Sequence, residues 1–87
     1  MNTYMVVCTF AASVPWEQVT AMVAQEQQAA AALRAEGVLA AVRVSVARDK
    51  VFLEVLADDA DGARAVVNRL PMAVFWGLEV YEIAVPV

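Results

Sequence analysis

Residues 3–10, TYMVVCTF, form a run that is apolar on both sides. Its β-branched and aromatic residues favour an extended strand. Successive side chains of a strand face opposite ways. Tyr4, Val6, Cys8 and Phe10 therefore make one surface, while Met5 and Val7 place apolar groups on the other. Such a strand belongs inside a sheet with both faces covered. Helices of the same chain cover one face; the other needs a second layer.

The order of the remaining elements says what those layers are. SVPWEQV (13–19) supplies a helix start, with Pro15 in the first turn and Glu17 near the positive helix end. Helical periodicity runs from there to about Glu36, where Gly37 is a natural left-handed cap. VLAAVRVSVA (38–47) alternates as a second strand, RDK (48–50) makes a tight turn, and VFLEVLA (51–57) returns as its hairpin partner. Asp58 or Asp59 caps a second helix whose apolar stripe is Ala63, Val66, Val67 and Leu70, and Pro71 ends it. VFWGLEVYEIAVPV (74–87) closes the chain as a fourth strand. The order βαββαβ predicts an α+β, ferredoxin-like arrangement: an antiparallel sheet with both helices on one face. A length of 87 residues allows one domain, 1–87.

Composition now bears on the uncovered face. Hydrophobic residues make up 62% of the chain, against about 45–50% in ordinary soluble domains. A domain this small buries only about 60–65% of its unfolded surface. The excess predicts a homo-oligomer in which a second copy covers the open face, giving a dimeric α+β barrel. No apolar run approaches the roughly 20 residues of a spanning helix, and the N-terminus lacks the basic region of a signal peptide. The expectation is a cytoplasmic protein with no membrane partner. The single cysteine, Cys8, fits a reducing compartment. A net charge of −4 with six scattered basic residues argues against nucleic acid.

The chain contains no histidine, which removes His-based triads and His-ligated zinc or haem. DDADG (58–62) resembles the start of a calcium loop, but Asn68 stands where the closing bidentate glutamate belongs. The expectation is a site without metal or cofactor. Cys8 has no histidine to activate it and reads as a small hydrophobe.

One carboxylate is out of place. On a helical wheel with Val19 at zero, Val23 falls at about 40°, Ala30 at about 20° and Leu33 at about −40°. Glu26 falls at about −20°, inside that apolar arc. Ala29 and Ala30 beside it leave the helix thin, so the pattern points to a cavity with a desolvated carboxylate, suited to general acid/base work. The competing reading is a structural ion pair or a carboxylate reaching out at the layer's edge. Arg43 interrupts a valine-rich strand and serves either a subunit contact or an anion. Trp16 and Trp76 read foremost as packing anchors, and Trp76, Tyr4, Tyr81 and Ala30 are the candidates to line a substrate pocket with Arg43.

The segment LPMAVFWGLEVYEIAV (70–85) resembles the C-terminal signature of muconolactone delta-isomerases through Leu70, Pro71, Phe75, Leu78, Glu79 and Val80. AQEQQAAAALRAEG (24–37) is similar to that family's first helix, with Glu26, Leu33 and Gly37 in the matching places. Arg43 falls where the family has an arginine after a tryptophan, although Val42 replaces the tryptophan. The resemblance implies a dimeric barrel, often in larger rings, and cofactor-free proton shuttling on a lactone. The family's lysines around the helix glutamate are replaced here by Gln25, Gln27 and hydrophobic residues, which favours a more hydrophobic, neutral substrate.

The functional expectation is therefore a cofactor-independent isomerase or cyclase acting on a small, largely apolar carbonyl or lactone compound, such as a polyketide-like intermediate. Glu26 moves the proton, and Arg43, Tyr4 or Tyr81 stabilises the enolate oxygen. Two alternatives stand beside it: a non-catalytic carrier or accessory subunit on the same scaffold, and a cofactor-free monooxygenase.

Overall fold

The strand that is apolar on both sides lies inside the sheet. In the computed structural model, which describes residues 1–84, β1 (Asn2–Phe10) pairs antiparallel with β3 (Lys50–Ala57) and with β4 (Trp76–Ile83). β2 (Leu39–Val44) forms a hairpin with β3 and makes the other edge. The order β2-β3-β1-β4 is that of the ferredoxin-like sheet, and the fold is α+β as the element order predicts. Residues 85–87, the end of the expected last strand, lie outside the described residues.

Tyr4, Val6, Cys8, Val51, Leu53 and Val55 are buried on the sheet face that carries the helices. Helix α3 (Ala60–Val67) closes that core through Ala63 and Val67, over β3, β1 and β4. Its start is the expected one: Asp59 Oδ1 accepts the Gly62 N–H at 2.7 Å. The helix ends at Val67, earlier than its apolar pattern suggests, so Leu70 is buried just beyond it. Pro71 does not simply stop the helix but opens a 3₁₀ helix, Pro71–Phe75.

The long first helix is two pieces, α1 (Trp16–Ala21) and α2 (Val23–Ala35). Thr20 Oγ1 donates to the carbonyls of Trp16 and Glu17, both at 3.1 Å. Met22 N–H turns to the Val19 carbonyl at 3.0 Å instead of continuing the α-helical ladder. The break carries Val23 out to solvent although the wheel places it inside. Val19 and Leu33 remain buried, one on each piece. α2 ends as expected: Gly37 has φ of 80°, its N–H reaches Arg34 O, and Val38 N–H reaches Leu33 O. That is a Schellman cap, with Val38 and Leu33 both in the core region.

A β-bulge decides what β2 shows to the helices. Leu39 pairs with Val55, but Ala41 pairs with Glu54, so Ala40 is an extra residue. The extra residue switches the alternation, placing Leu39, Val42 and Val44 on the helix side together and Arg43 opposite Phe52 on the other. β2 stops at Val44, short of the expected 47, and the turn spans Ser45–Asp49, with Lys50 already in β3. Ser45 Oγ donates to Asp49 Oδ1 at 2.9 Å, and Arg48 takes φ of 63°.

Among the described residues, the opposite sheet face carries no helix. Met5, Val7, Phe52, Leu56, Tyr81 and Ile83 make it largely apolar, with Glu54, Glu79, Arg43 and Lys50 among them. No helix among the described residues is long and apolar enough to cross a membrane.

Candidate functional site

α3 fills its half of the helix layer with close-packed side chains. α2 does not, because the residues it turns inward after the break are Glu26, Ala29, Ala30 and Leu33, of which only Leu33 is fully buried. Alanines cannot span the distance between a helix and a sheet, which are packed about 10 Å apart. The shortfall is an open cleft of about 450 Å3 between α2 and the β2–β3 half of the sheet. That is the size of a small-molecule site. Glu26, Gln27, Ala30, Ala31 and Arg34 form its helical wall. Val42, Val44, Val51 and Leu53 form the sheet wall, and Leu70, Met72 and Trp76 close the end.

Glu26 is half-buried in that cleft. Its Oε1 accepts the backbone N–H of Met72 at 2.9 Å. Met72 is the second residue of the 3₁₀ helix, where the first N–H groups have no partner inside the helix. The carboxylate thus caps a segment far away in sequence. No ion pair reaches Glu26 among the described residues, and Oε2 accepts no hydrogen bond there. Burial raises its pKa above the usual glutamate value, and the Met72 N–H offsets part of the rise. Of the two structural alternatives, an arginine partner is absent among the described residues; a backbone cap takes its place.

Cys8 lies fully buried beneath the cleft. Burial, and then the negative charge of Glu26, push its thiol up to about 12, so it stays protonated at neutral pH. It packs as the small hydrophobe its surroundings predict. Trp76 stands edge-on to Phe10, with ring centroids 5.8 Å apart, and Phe10 meets Trp16 similarly at 6.1 Å. The Trp76 indole Nε1 is buried with no hydrogen-bond partner among the described residues, an unmet donor on the cleft wall.

Of the residues singled out from the sequence, the cleft brings together Glu26, Ala30 and Trp76. Tyr4 is buried in the core under α3, away from the cleft lining. Arg43 and Tyr81 are on the helix-free sheet face: Arg43 Nη1 donates to the Val42 carbonyl at 2.9 Å, and Tyr81 Oη donates to Glu79 Oε2 at 2.7 Å. None of these three reaches the cleft of its own chain. Sequence reasoning missed Arg34, Gln27 and Met72. Arg34 was legible as the next step of a four-residue spacing, Glu26–Ala30–Arg34, along one helix side. The Met72 N–H had only a faint signal, the Leu-Pro pair that opens a short helix needing a cap.

The fold and the cleft together define a ferredoxin-like α+β domain with a ligand-sized apolar cavity and one carboxylate in its wall. Compared with known proteins, the chain matches no family model and no curated protein. Among the described residues no three His, Cys, Asp or Glu side chains converge on a metal-sized site.

Proposed function

We propose that the chain is a cofactor-independent isomerase or cyclase that moves a proton on a small, largely apolar carbonyl or lactone compound, with Glu26 as general acid/base. The observation that supports this most is a carboxylate with a raised pKa, held by one backbone N–H and free at Oε2, in the wall of an apolar cleft. Fixing Oε1 on Met72 leaves Oε2 to act. Oε2 takes a proton from carbon next to the carbonyl, the C–H electron pair becomes part of the enolate, and Oε2, which exchanges its proton with solvent in the open cleft, returns a proton to carbon. No electron is gained or lost. Gln27 and the unpartnered Trp76 Nε1–H are the side-chain donors on the cleft wall available to the enolate oxygen. The likeness to muconolactone delta-isomerases supports the same chemistry. It also supports a homo-oligomer in which a second copy covers the apolar sheet face.

A second reading, a carrier or accessory subunit, draws on the Met72 bond itself, since a cap accounts for Glu26 without any reaction. The two separate by proton exchange. A panel of apolar ketones and unsaturated lactones is incubated with the protein in deuterated buffer and followed by NMR. Deuterium enters beside the carbonyl of at least one compound, and Glu26→Gln slows that entry by roughly 10²–10⁴. Exchange that Glu26→Gln leaves untouched removes Glu26 from the reaction, and no exchange in any compound that binds establishes the carrier instead.

A further inference from the structure

Among the described residues the cleft lining is charged at two points only. Glu26 and Arg34 are eight residues apart on α2, about 12 Å along its axis at 1.5 Å per residue, and both line the cavity. Between them the helical wall is Gln27, beside Glu26, and then Ala30 and Ala31, and the facing wall is Val42, Val44, Val51 and Leu53. Arg34 is the one cation that lines the cleft, and no carboxylate lies within ion-pair distance of it among the described residues. Its nearest acidic neighbour in sequence, Glu36, is held by Arg69 through two hydrogen bonds. Arg64 pairs with Asp61, and Lys50 with Asp49. Position in the last turn of α2 suits a cation to the helix dipole. That accounts for a basic residue there but not for an unpaired one bordering a cavity in a chain of net charge −4.

We infer that the ligand of this cleft is an elongated apolar molecule with one anionic oxygen group, a carboxylate or an ionised enol, which Arg34 binds at the end remote from Glu26. This rests on the proposed reaction only in calling that ligand the substrate. The ionised Glu26 repels an anion from its own end, and the guanidinium offers a two-pronged partner at the other. The apolar body then spans the valine wall, with carbon about one ligand length from the anion beside Oε2. Arg34 thereby sets which way round the molecule enters. The neutral substrate favoured by the family's missing lysines becomes an amphiphile with a single charge.

The test uses two dyes of one skeleton, anilinonaphthalene sulfonate, which is anionic, and N-phenylnaphthylamine, which is neutral. Binding is read by fluorescence titration. The sulfonate binds the unaltered protein more tightly than the neutral dye does, and added salt narrows the gap. Arg34→Gln weakens the sulfonate roughly 5–10-fold, the worth of one charge-assisted contact at a partly wet site, and leaves the neutral dye unchanged. Arg34→Lys restores part of the loss. Ala30→Leu, which fills the cleft, weakens both dyes, and Arg64→Gln on the outer surface of α3 affects neither. The inference is overturned if Arg34→Gln leaves the sulfonate untouched or weakens both dyes equally. Sulfonate binding that survives Ala30→Leu, or falls equally in Arg64→Gln, also overturns it. Neither dye reacts, so an inert Glu26 with Arg34-dependent binding removes the reaction and keeps the ligand class.

Discussion

Removing Glu26 in two different ways separates its charge from its hydrogen bond. Glu26→Gln keeps a carbonyl oxygen where Oε1 accepts from Met72, whereas Glu26→Ala leaves that N–H without its protein acceptor. Met72 is 8% exposed, so its backbone is largely dry. An unmet buried donor costs about 1–3 kcal/mol. Water entering the open cleft brings this to the low end, and the better helix propensity of alanine returns a few tenths. The net is about 1 kcal/mol, or about 4–8 °C in Tm for a domain of this size. Glu26→Gln is at least as stable as the unaltered protein at neutral pH, because no charge is left half out of water. The pH dependence has a definite sign. The folded-state pKa of Glu26 is raised, so the folded chain keeps this proton over a window in which the unfolded chain has lost it. Stability from this group is full below the ordinary glutamate value and is lost as pH rises across the window. Glu26→Gln therefore gains on the unaltered protein as pH rises through that window, and the gain levels off above it. Urea unfolding of the three proteins from about pH 4 to pH 8 measures both effects. Equal stability of the Ala and Gln variants, or a pH-independent gap to Gln, would refute the reasoning.

Ala30→Leu should place a larger side chain in the cleft, abolish exchange activity and leave Tm within a few degrees, because the added atoms occupy space already open; a calorimetric scan and the NMR assay check both halves. Gly37→Ala should cost about 1 kcal/mol although nothing lies within 4 Å of an added Cβ, since the whole cost is the left-handed φ of 80°. Denaturant midpoints measure it, and a neutral result would mean that the cap rearranges. Light scattering at micromolar concentration should give a mass of at least two 9.4 kDa chains, with Phe52→Glu on the helix-free face shifting it toward one. A single-chain mass for the unaltered protein would remove the barrel.

The sequence was most legible where the physics is local. Asp59 caps α3 and Gly37 closes α2 because each acts on a donor or acceptor within a few residues. The α+β, ferredoxin-like class followed from the succession of elements. The break at Met22 was hidden because a threonine hydroxyl competing for helix carbonyls looks like any other polar position, and it shifts the phase of everything after it. Measured from Val19, the wheel kept Glu26 near the inner face but wrongly kept Val23 there. The bulge at Ala40 was equally silent, and without it Arg43 and Val42 exchange faces. Met72 entered the site through its backbone, which carries no residue-type signal at all.

The bond between Glu26 and Met72 also bears on when the site comes into being. It joins residues 46 apart in the chain, across the β2–β3 hairpin and α3. Contacts of such long separation are made only after the intervening chain has given up its freedom. The β2–β3 hairpin and the turns of α2 can form early, but at that stage the cleft lacks the end that Leu70, Met72 and Trp76 close. The cleft is then completed late in folding, as a property of the finished domain. Refolding followed through the cleft should lag behind the recovery of helical signal.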